Sequence, residues 1–370
     1  MKIGIITLSA SDNCGSLLQA YALMNILKEK GHTVEIIDFS TRISKKMYRI
    51  FHPGYLNEPK KFWGQFFLMR KLINQKKAYQ SFRDNYLNMS KNKYYSSKDL
   101  ELLDGKYDIV VCGSDQIWNV YMRDFDNAFL LNWCKKSKCI SYAASLGDQK
   151  NGNLVDLVNE GLDVNKFAAI SVREKSAVIK FEKELNQKVD KCLDPTLLLS
   201  KSQWEELIGN QKRKLGKYIF YYSYNYNNEA KNKCVSDFAK KTGLPVYVIN
   251  ASKWVDGKNK TYGFQLYDYE GPLAFLELMA NCEFAMVESF HGCIFSFIFE
   301  KNFWFIEDKK TLDDRINDLL ETIELKNRVI YINETKNYDN SQIDYKNKKI
   351  LLANEIRKSN IFLNSFINDK

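Results

Sequence analysis

An α/β protein of two doubly wound, Rossmann-like domains facing across a cleft is the fold class predicted by three observations. Short apolar runs alternate with segments of helical period, the alternation restarts near residue 218, and polar clusters follow the apolar runs directly. Open parallel sheets bind ligands beyond the carboxyl ends of their strands, so those clusters are the places to look for chemistry.

Residues 3 to 8 read as a first strand, Ser11 to Ser16 as a loop, and Leu17, Leu18, Tyr21, Met24 and Leu27 as a helix that ends at Gly31-His32. Val34 to Phe39 supplies the next strand and completes a β-α-β unit, which implies a right-handed parallel sheet. Tyr107 to Cys112, Cys139 to Ala144 and Phe167 to Val172 are further strands. A helix over 175–185 follows the last of them, and Val189 to Leu193 closes the first sheet before Asp194-Pro195-Thr196 breaks the chain. The second series begins at Tyr218 to Tyr222, with a helix over 229–241 and the strand Pro245 to Ile249. Gly271-Pro272 then opens a helix that leads to the strand Glu283 to Val287, a helix behind His291, and Phe303 to Ile306. The expected organisation is an N-terminal domain over 1–200 carrying an insertion at 41–103, a C-terminal domain over 215–335, and a helix within 340–370 crossing back onto the first domain.

At 370 residues, 45% hydrophobic and 27% charged, the chain has the balance of a globular protein with room for two cores. The apolar run at the amino terminus is too brief for a signal peptide, and no run approaches the roughly 20 residues of a membrane-spanning helix, so a cytoplasmic location is expected. Eight scattered cysteines without a Cys-x-x-Cys pair read as reduced, buried thiols, and with three histidines no metal site is expected. The net charge of +10 is concentrated: residues 41–103 hold fourteen Lys and Arg against four Asp and Glu, interleaved with aromatics. That pattern suits an anionic surface such as lipid headgroups at the inner face of the plasma membrane, and no nucleic-acid motif accompanies it. The competing expectation, slightly favoured, is a helical hairpin with Phe66, Phe67, Ile73 and Phe82 turned to the core.

Among the strand-end loops, His291 stands out as a histidine between a strand and a helix, where a residue that titrates near neutral pH serves as proton donor or acceptor. Arg173, also at a strand end, offers a donor fork matched to a carboxylate or phosphate. Glu174 beside it provides an alternative, an internal ion pair. Asn13, Gly15, Ser16 and Gln19 form a polar loop ahead of a helix, suited to cradling a sugar or phosphate or simply to helix capping. Gly113, Ser114, Asp115 and Gln116 gather donors and acceptors in one turn, with Trp118 behind them as a stacking face for a sugar or as a core residue. Asp194 could contact ligand, though a turn role is commoner. No P-loop and no Gly-x-Gly-x-x-Gly fingerprint occurs.

Asn13-Cys14-Gly15-Ser16-Leu17-Leu18-Gln19-Ala20-Tyr21, Val111-Cys112-Gly113-Ser114-Asp115-Gln116-Ile117-Trp118-Asn119, Ser171-Val172-Arg173-Glu174 and Ser289-Phe290-His291-Gly292 occur in this order. Together they resemble the polysaccharide pyruvyl transferase family, over most of the chain to about residue 306. The resemblance implies a GT-B-like fold and transfer of pyruvate from phosphoenolpyruvate to two hydroxyls of a sugar as a cyclic ketal, in exopolysaccharide or capsule biosynthesis. It implies His291 as general acid and Arg173 as anion holder, with Ser289, Gly292 and the first-domain loops completing the site. Phosphoenolpyruvate is then the donor substrate, with no cofactor, and a glycan or its lipid-linked precursor the acceptor. One departure stands out: better-described members carry an arginine two residues before this histidine, where this chain has Ser289, so Arg173 or a lysine from another loop would have to compensate. Two other readings remain open, a GT-B-type glycosyltransferase using a nucleotide sugar and a non-catalytic glycan-binding protein.

Overall fold

The computed structural model of the protein describes residues 1–147, 153–209, 215–224, 226–255, 262–308, 311–332, 338 and 341–367. Among these, two parallel sheets form. The first contains β1 (Lys2–Ile6), β2 (Thr33–Phe39), β3 (Met89–Tyr94), β4 (Ile109–Cys112), β5 (Lys138–Ala144), β6 (Phe167–Val172) and β7 (Asp190–Lys191) in the order β3-β2-β1-β4-β5-β6-β7. The second contains β8 (Ile219–Tyr222), β9 (Val246–Val248), β10 (Gln265–Leu266), β11 (Phe284–Val287), β12 (Asn302–Glu307) and β13 (Val329–Tyr331) in the order β10-β9-β8-β11-β12-β13. Helices cover both faces, which is why the inner strands can be apolar throughout: every residue of β4 and β8 is buried.

In each sheet the strand order reverses once, between β1 and β4 and between β8 and β11. A ligand crevice opens at such a reversal. The loops leaving these four strands carry Asn13 to Ser16, Gly113 to Gln116, Ser223-Tyr224 and Ser289 to His291. The lobes are in contact through a shared apolar core that joins Leu17 and Leu18 of the helix Cys14–Glu29 to Phe275 and Leu278 of the helix Gly271–Asn281.

Three strands lie outside the sequence expectation. β3 pairs Ile36 with Met89 and Phe39 with Tyr94, yet Met-Ser-Lys-Asn-Lys-Tyr has no apolar run, as an edge strand needs none. β10 and β13 are only two and three residues long. The strand expected over Val189 to Leu193 contracts to the two residues of β7.

The insertion at 41–103 is likewise not a plain hairpin of helices, since it also contains β3. It does place Tyr79 and Phe82 in the core, whereas Phe66 and Phe67 are 61% and 76% exposed, against the expectation that they face inward. The C-terminal helix Tyr345–Ile367 begins against the second lobe, with the Tyr345 ring 5.6 Å from Phe297. It ends on the first, where Phe362 lies 6.2 Å from Tyr142 and Ser359 Oγ accepts the Leu193 N–H at 2.9 Å. The boundaries expected at 335, 340 and 370 lie outside the described residues.

Candidate active site

His291 enters the site because β11 ends at Val287 and a helix starts at Phe290. Ser289 is the N-cap, its Oγ accepting the Gly292 N–H at 3.0 Å. A Cβ on Gly292 would meet Ser289 Oγ at 2.8 Å, so glycine is needed for this tight start. The imidazole projects into the first lobe and lies on Gly15, where an added Cβ would stand 2.1 Å from Nδ1. The close approach that Gly15 permits is thus to His291 rather than to a ligand.

Arg173 leaves β6 and reaches the same point from the other side. Its Nη2 donates to Ser114 Oγ at 2.6 Å and pairs with Asp194 Oδ2 at 2.8 Å, and that same oxygen lies 3.3 Å from His291 Nε2. Asp194 is therefore the hub joining the two lobes. It also takes the Thr196 N–H at 3.0 Å and the Ser114 hydroxyl at 3.2 Å. Burial alone would raise the pKa of this carboxyl, but Arg173 and His291 beside it hold it well below the usual carboxylate range. The Arg173 Nε and Nη1 hydrogens are buried without an acceptor among the described residues. Such unclaimed donors on a buried guanidinium suit an oxyanion.

Around this hub Ser16 Oγ donates to Asp115 Oδ2 at 2.6 Å. Asp115 has φ of +82°, a strained conformation for a residue with a side chain, of the kind that clusters at functional sites. Asn13 caps the helix Cys14–Glu29 by accepting the Ser16 N–H and lines the inter-lobe cavity with Tyr224. Glu174, expected as a rival partner for Arg173, instead accepts from the Ser145 hydroxyl, and burial pushes its pKa up to about 7.

Four expected contact residues, Trp118, Gln19, Gly113 and Gln116, are engaged within the protein. Trp118 is wholly buried, its ring 5.7 Å from Phe167 and 6.1 Å from Phe181, so no face remains for a sugar. Gln19 is also wholly buried and braces the loop after β1, donating to Thr7 Oγ1 and the Ser16 carbonyl, each at 2.9 Å. Gly113 is buried against Ile5 and Leu23. Gln116 is half-buried and bonded to Asn119 at 2.9 Å.

A cavity of about 670 Å³ opens between the lobes beside this network, roofed by the insertion. Tyr48, Tyr55, Tyr79, Tyr222 and Tyr224 line it, as do Lys46, Arg49, Lys76, Arg123 and Lys253, with Asp12 as the one carboxylate among the described residues of the lining. Asp12 is already paired with Arg83 at 2.6 Å and Lys76 at 2.8 Å.

The sequence pattern of the polysaccharide pyruvyl transferase family matches residues 13–310, which takes in the loops of Asn13, Ser114, Arg173 and His291. The chain belongs to this family. A member of it is a transferase, and a sugar acceptor is consistent with a family that modifies glycans. No curated protein matches the chain by sequence. The fold is similar to that of UDP-GlcNAc 2-epimerase from Methanocaldococcus jannaschii in complex with UDP-GlcNAc and UDP. That likeness has a TM-score of 0.53 and 14% identity, and covers 95% of this chain and 99% of the epimerase. The Neisseria meningitidis UDP-GlcNAc 2-epimerase bound to UDP-GlcNAc gives a TM-score of 0.51 at 11% identity, over 96% of this chain and all of the other. The architecture is thus two Rossmann-like lobes in the GT-B-like manner.

The loop that carries Ser289 and His291 holds neither Lys nor Arg. Instead Arg315, from the helix Asp314–Thr322, carries its guanidinium to 5.7 Å from the Phe290 ring, with Arg173 4.8 Å from that ring. Asp313 fixes Arg315 with a two-point fork of 2.8 Å bonds. Arg315 has little signature in the sequence. Its one signal was an arginine in a helix's first turn, where the helix dipole disfavours a cation unless an acid holds it. Asp194 reads in the sequence chiefly as a turn residue, and in the structure it serves both as cap and as hub.

Proposed function

We propose that the protein transfers pyruvate from phosphoenolpyruvate to two hydroxyls of one sugar, forming a cyclic ketal and releasing phosphate. The observation that carries this is the buried Arg173 guanidinium, with two unclaimed donors, sharing Asp194 with His291 across the lobes. The donor's carboxylate and phosphate are held by Arg173 and Arg315, the latter doing the work of the arginine that Ser289 replaces, with the helix starts at Asn13 and Ser289 nearby. His291 is only 4% exposed in this closed arrangement, so the donor enters as the lobes part.

The chemistry then needs one acid. His291 gives a proton to the methylene carbon, C2 becomes electrophilic, and one sugar hydroxyl adds to it. The second hydroxyl displaces phosphate and closes the ring. Of the two hydroxyl protons, one restores the imidazole and one leaves on phosphate. Asp194 orients the ring throughout. The acceptor lies in the aromatic and cationic cavity next to Asn13 and Tyr224. It is a cell-surface glycan or its lipid-linked precursor, met on the cytoplasmic side.

The test is incubation with phosphoenolpyruvate and candidate sugar acceptors. Acceptor-dependent phosphate release is expected, with His291→Ala abolishing it while the circular dichroism spectrum is retained. Release of nucleoside diphosphate from a nucleotide sugar would replace this reading with a glycosyltransferase. A fully active His291→Ala protein would remove the proposed acid.

A further inference from the structure

The insertion helix Pro59–Phe67 is turned inside out relative to a core helix. Gly64 and Gln65 are its inward side: a Cβ on Gly64 would meet the Val255 carbonyl oxygen at 1.9 Å, and the Gln65 amide donates to the Ile50 carbonyl. Docking through these two residues forces Trp63, Phe66 and Phe67, spaced as one face of a helix, outward. They are 54%, 61% and 76% exposed, and their rings touch one another at 5.9 to 6.2 Å. Leu56, on the preceding turn Pro53–Asn57, and Phe51 just ahead of that turn are also exposed apolar side chains. An apolar cluster of this kind on a protein's surface marks an interaction site.

The occupant is indicated by charge. Exposed Lys60 stands on the same helix and exposed Arg70 follows Phe67 by three residues, while Lys61 pairs with Glu58; all lie within the segment of the sequence that accounts for the whole net charge of +10. We infer that Trp63, Phe66 and Phe67 dock the protein on an anionic lipid bilayer, rings among the acyl chains and cations at the headgroups. Contact is peripheral, since no helix among the described residues is long and apolar enough to cross a membrane. The docked face borders the inter-lobe cavity: Tyr55, next to Leu56, lines that cavity, and the Lys61 ammonium lies 5.4 Å from the Tyr55 ring. A bilayer there would present headgroup-linked sugars at the cavity mouth, whichever donor the enzyme uses.

Trp63 makes this readable. The other five tryptophans, at 118, 133, 204, 254 and 304, are at most 5% exposed, so a change of tryptophan emission on vesicle addition reports Trp63. With vesicles of phosphatidylcholine and phosphatidylglycerol, a blue shift and co-flotation are expected, and pure phosphatidylcholine should give far less of either. Trp63→Ser/Phe66→Ser/Phe67→Ser should lose flotation. Neutralising Lys60 and Arg70 to Gln should weaken it by about fivefold per charge, and salt should weaken it further. Absent flotation, or flotation indifferent to the serine variant, overturns the inference. So does a concentration-dependent dimer that the serine variant abolishes without any vesicle binding, which would make a second copy the occupant. None of these readouts needs pyruvyl transfer, so failure of the proposed reaction would leave them interpretable.

Discussion

At the residue scale the site hinges on Gly15 and His291 sharing one space. Alanine at position 15 is a better helix former than glycine by about 1 kcal/mol, so the helix Cys14–Glu29 would not suffer by itself. Its Cβ, however, would sit 2.1 Å from Nδ1 and 2.4 Å from Cγ of His291, and the ring must move away from Asp194. Displacements near 1 Å can cost about 100-fold in rate. Gly15→Ala should therefore lose phosphate release by that order while its thermal unfolding midpoint changes little, as calorimetry would show. Unchanged turnover would mean that the imidazole is not held where it acts. Such a contact is invisible in the sequence, where Gly15 reads as part of a polar loop that lets a ligand approach the backbone. The two residues lie 276 positions apart in the chain.

At the element scale, helix starts do most of the positioning. Asn13, Asp194, Ser289 and Asp313 each cap a helix or a short 3-10 turn beside the site. Arg315 depends on this arrangement, because Asp313 is both the cap and the acid that holds the guanidinium. Lysine at 315 would keep the charge and lose the fork. A hydrogen bond to a charged group is worth about 1.5–3 kcal/mol, so Arg315→Lys should raise KM for phosphoenolpyruvate by roughly 10- to 100-fold, with a smaller change in kcat. Steady-state kinetics with varied donor would check this, and an unaltered KM would remove Arg315 from the clamp.

The long elements were legible because their signals are local. β1, β4 and β8 are continuous apolar runs, and the loops with Asn13, Arg173 and His291 follow strand ends directly. What was not legible depends on partners far along the chain. Trp118 looks like a sugar platform until Phe167 and Phe181 enclose it, and Phe67 looks like core until Val255 blocks the helix from rolling inward.

At the scale of the whole molecule, each lobe keeps a carboxyl buried in a state that opposes its ionisation. Glu174, beside Arg173 in the first lobe, is raised from 4.5 to about 7 by burial, which Arg173 and Ser145 only partly offset. Glu270, at the start of the helix Gly271–Asn281, is also raised to about 7 by burial, despite accepting the Asn250 and Ala251 N–H groups at 2.8 and 2.9 Å. A folded-state pKa above the unfolded value means that the fold prefers the protonated form. The resulting stabilisation is complete below about pH 4.5 and is lost as pH rises through about 7, at up to about 3 kcal/mol per group. Asp194 has the opposite sign: its depressed pKa contributes stability above the ordinary carboxylate range that disappears only in stronger acid. Between pH 5.5 and 7 the two glutamates lower the urea midpoint, opposed by His32 and His52, whose pKa values burial lowers. Glu174→Gln places a neutral amide where the protonated acid fits, so its midpoint at pH 8 should exceed that of the unmodified protein and its decline should be shallower. Glu270→Gln should act likewise from the other lobe. A slope that neither substitution changes would mean that these carboxyls reach water more freely than their burial indicates.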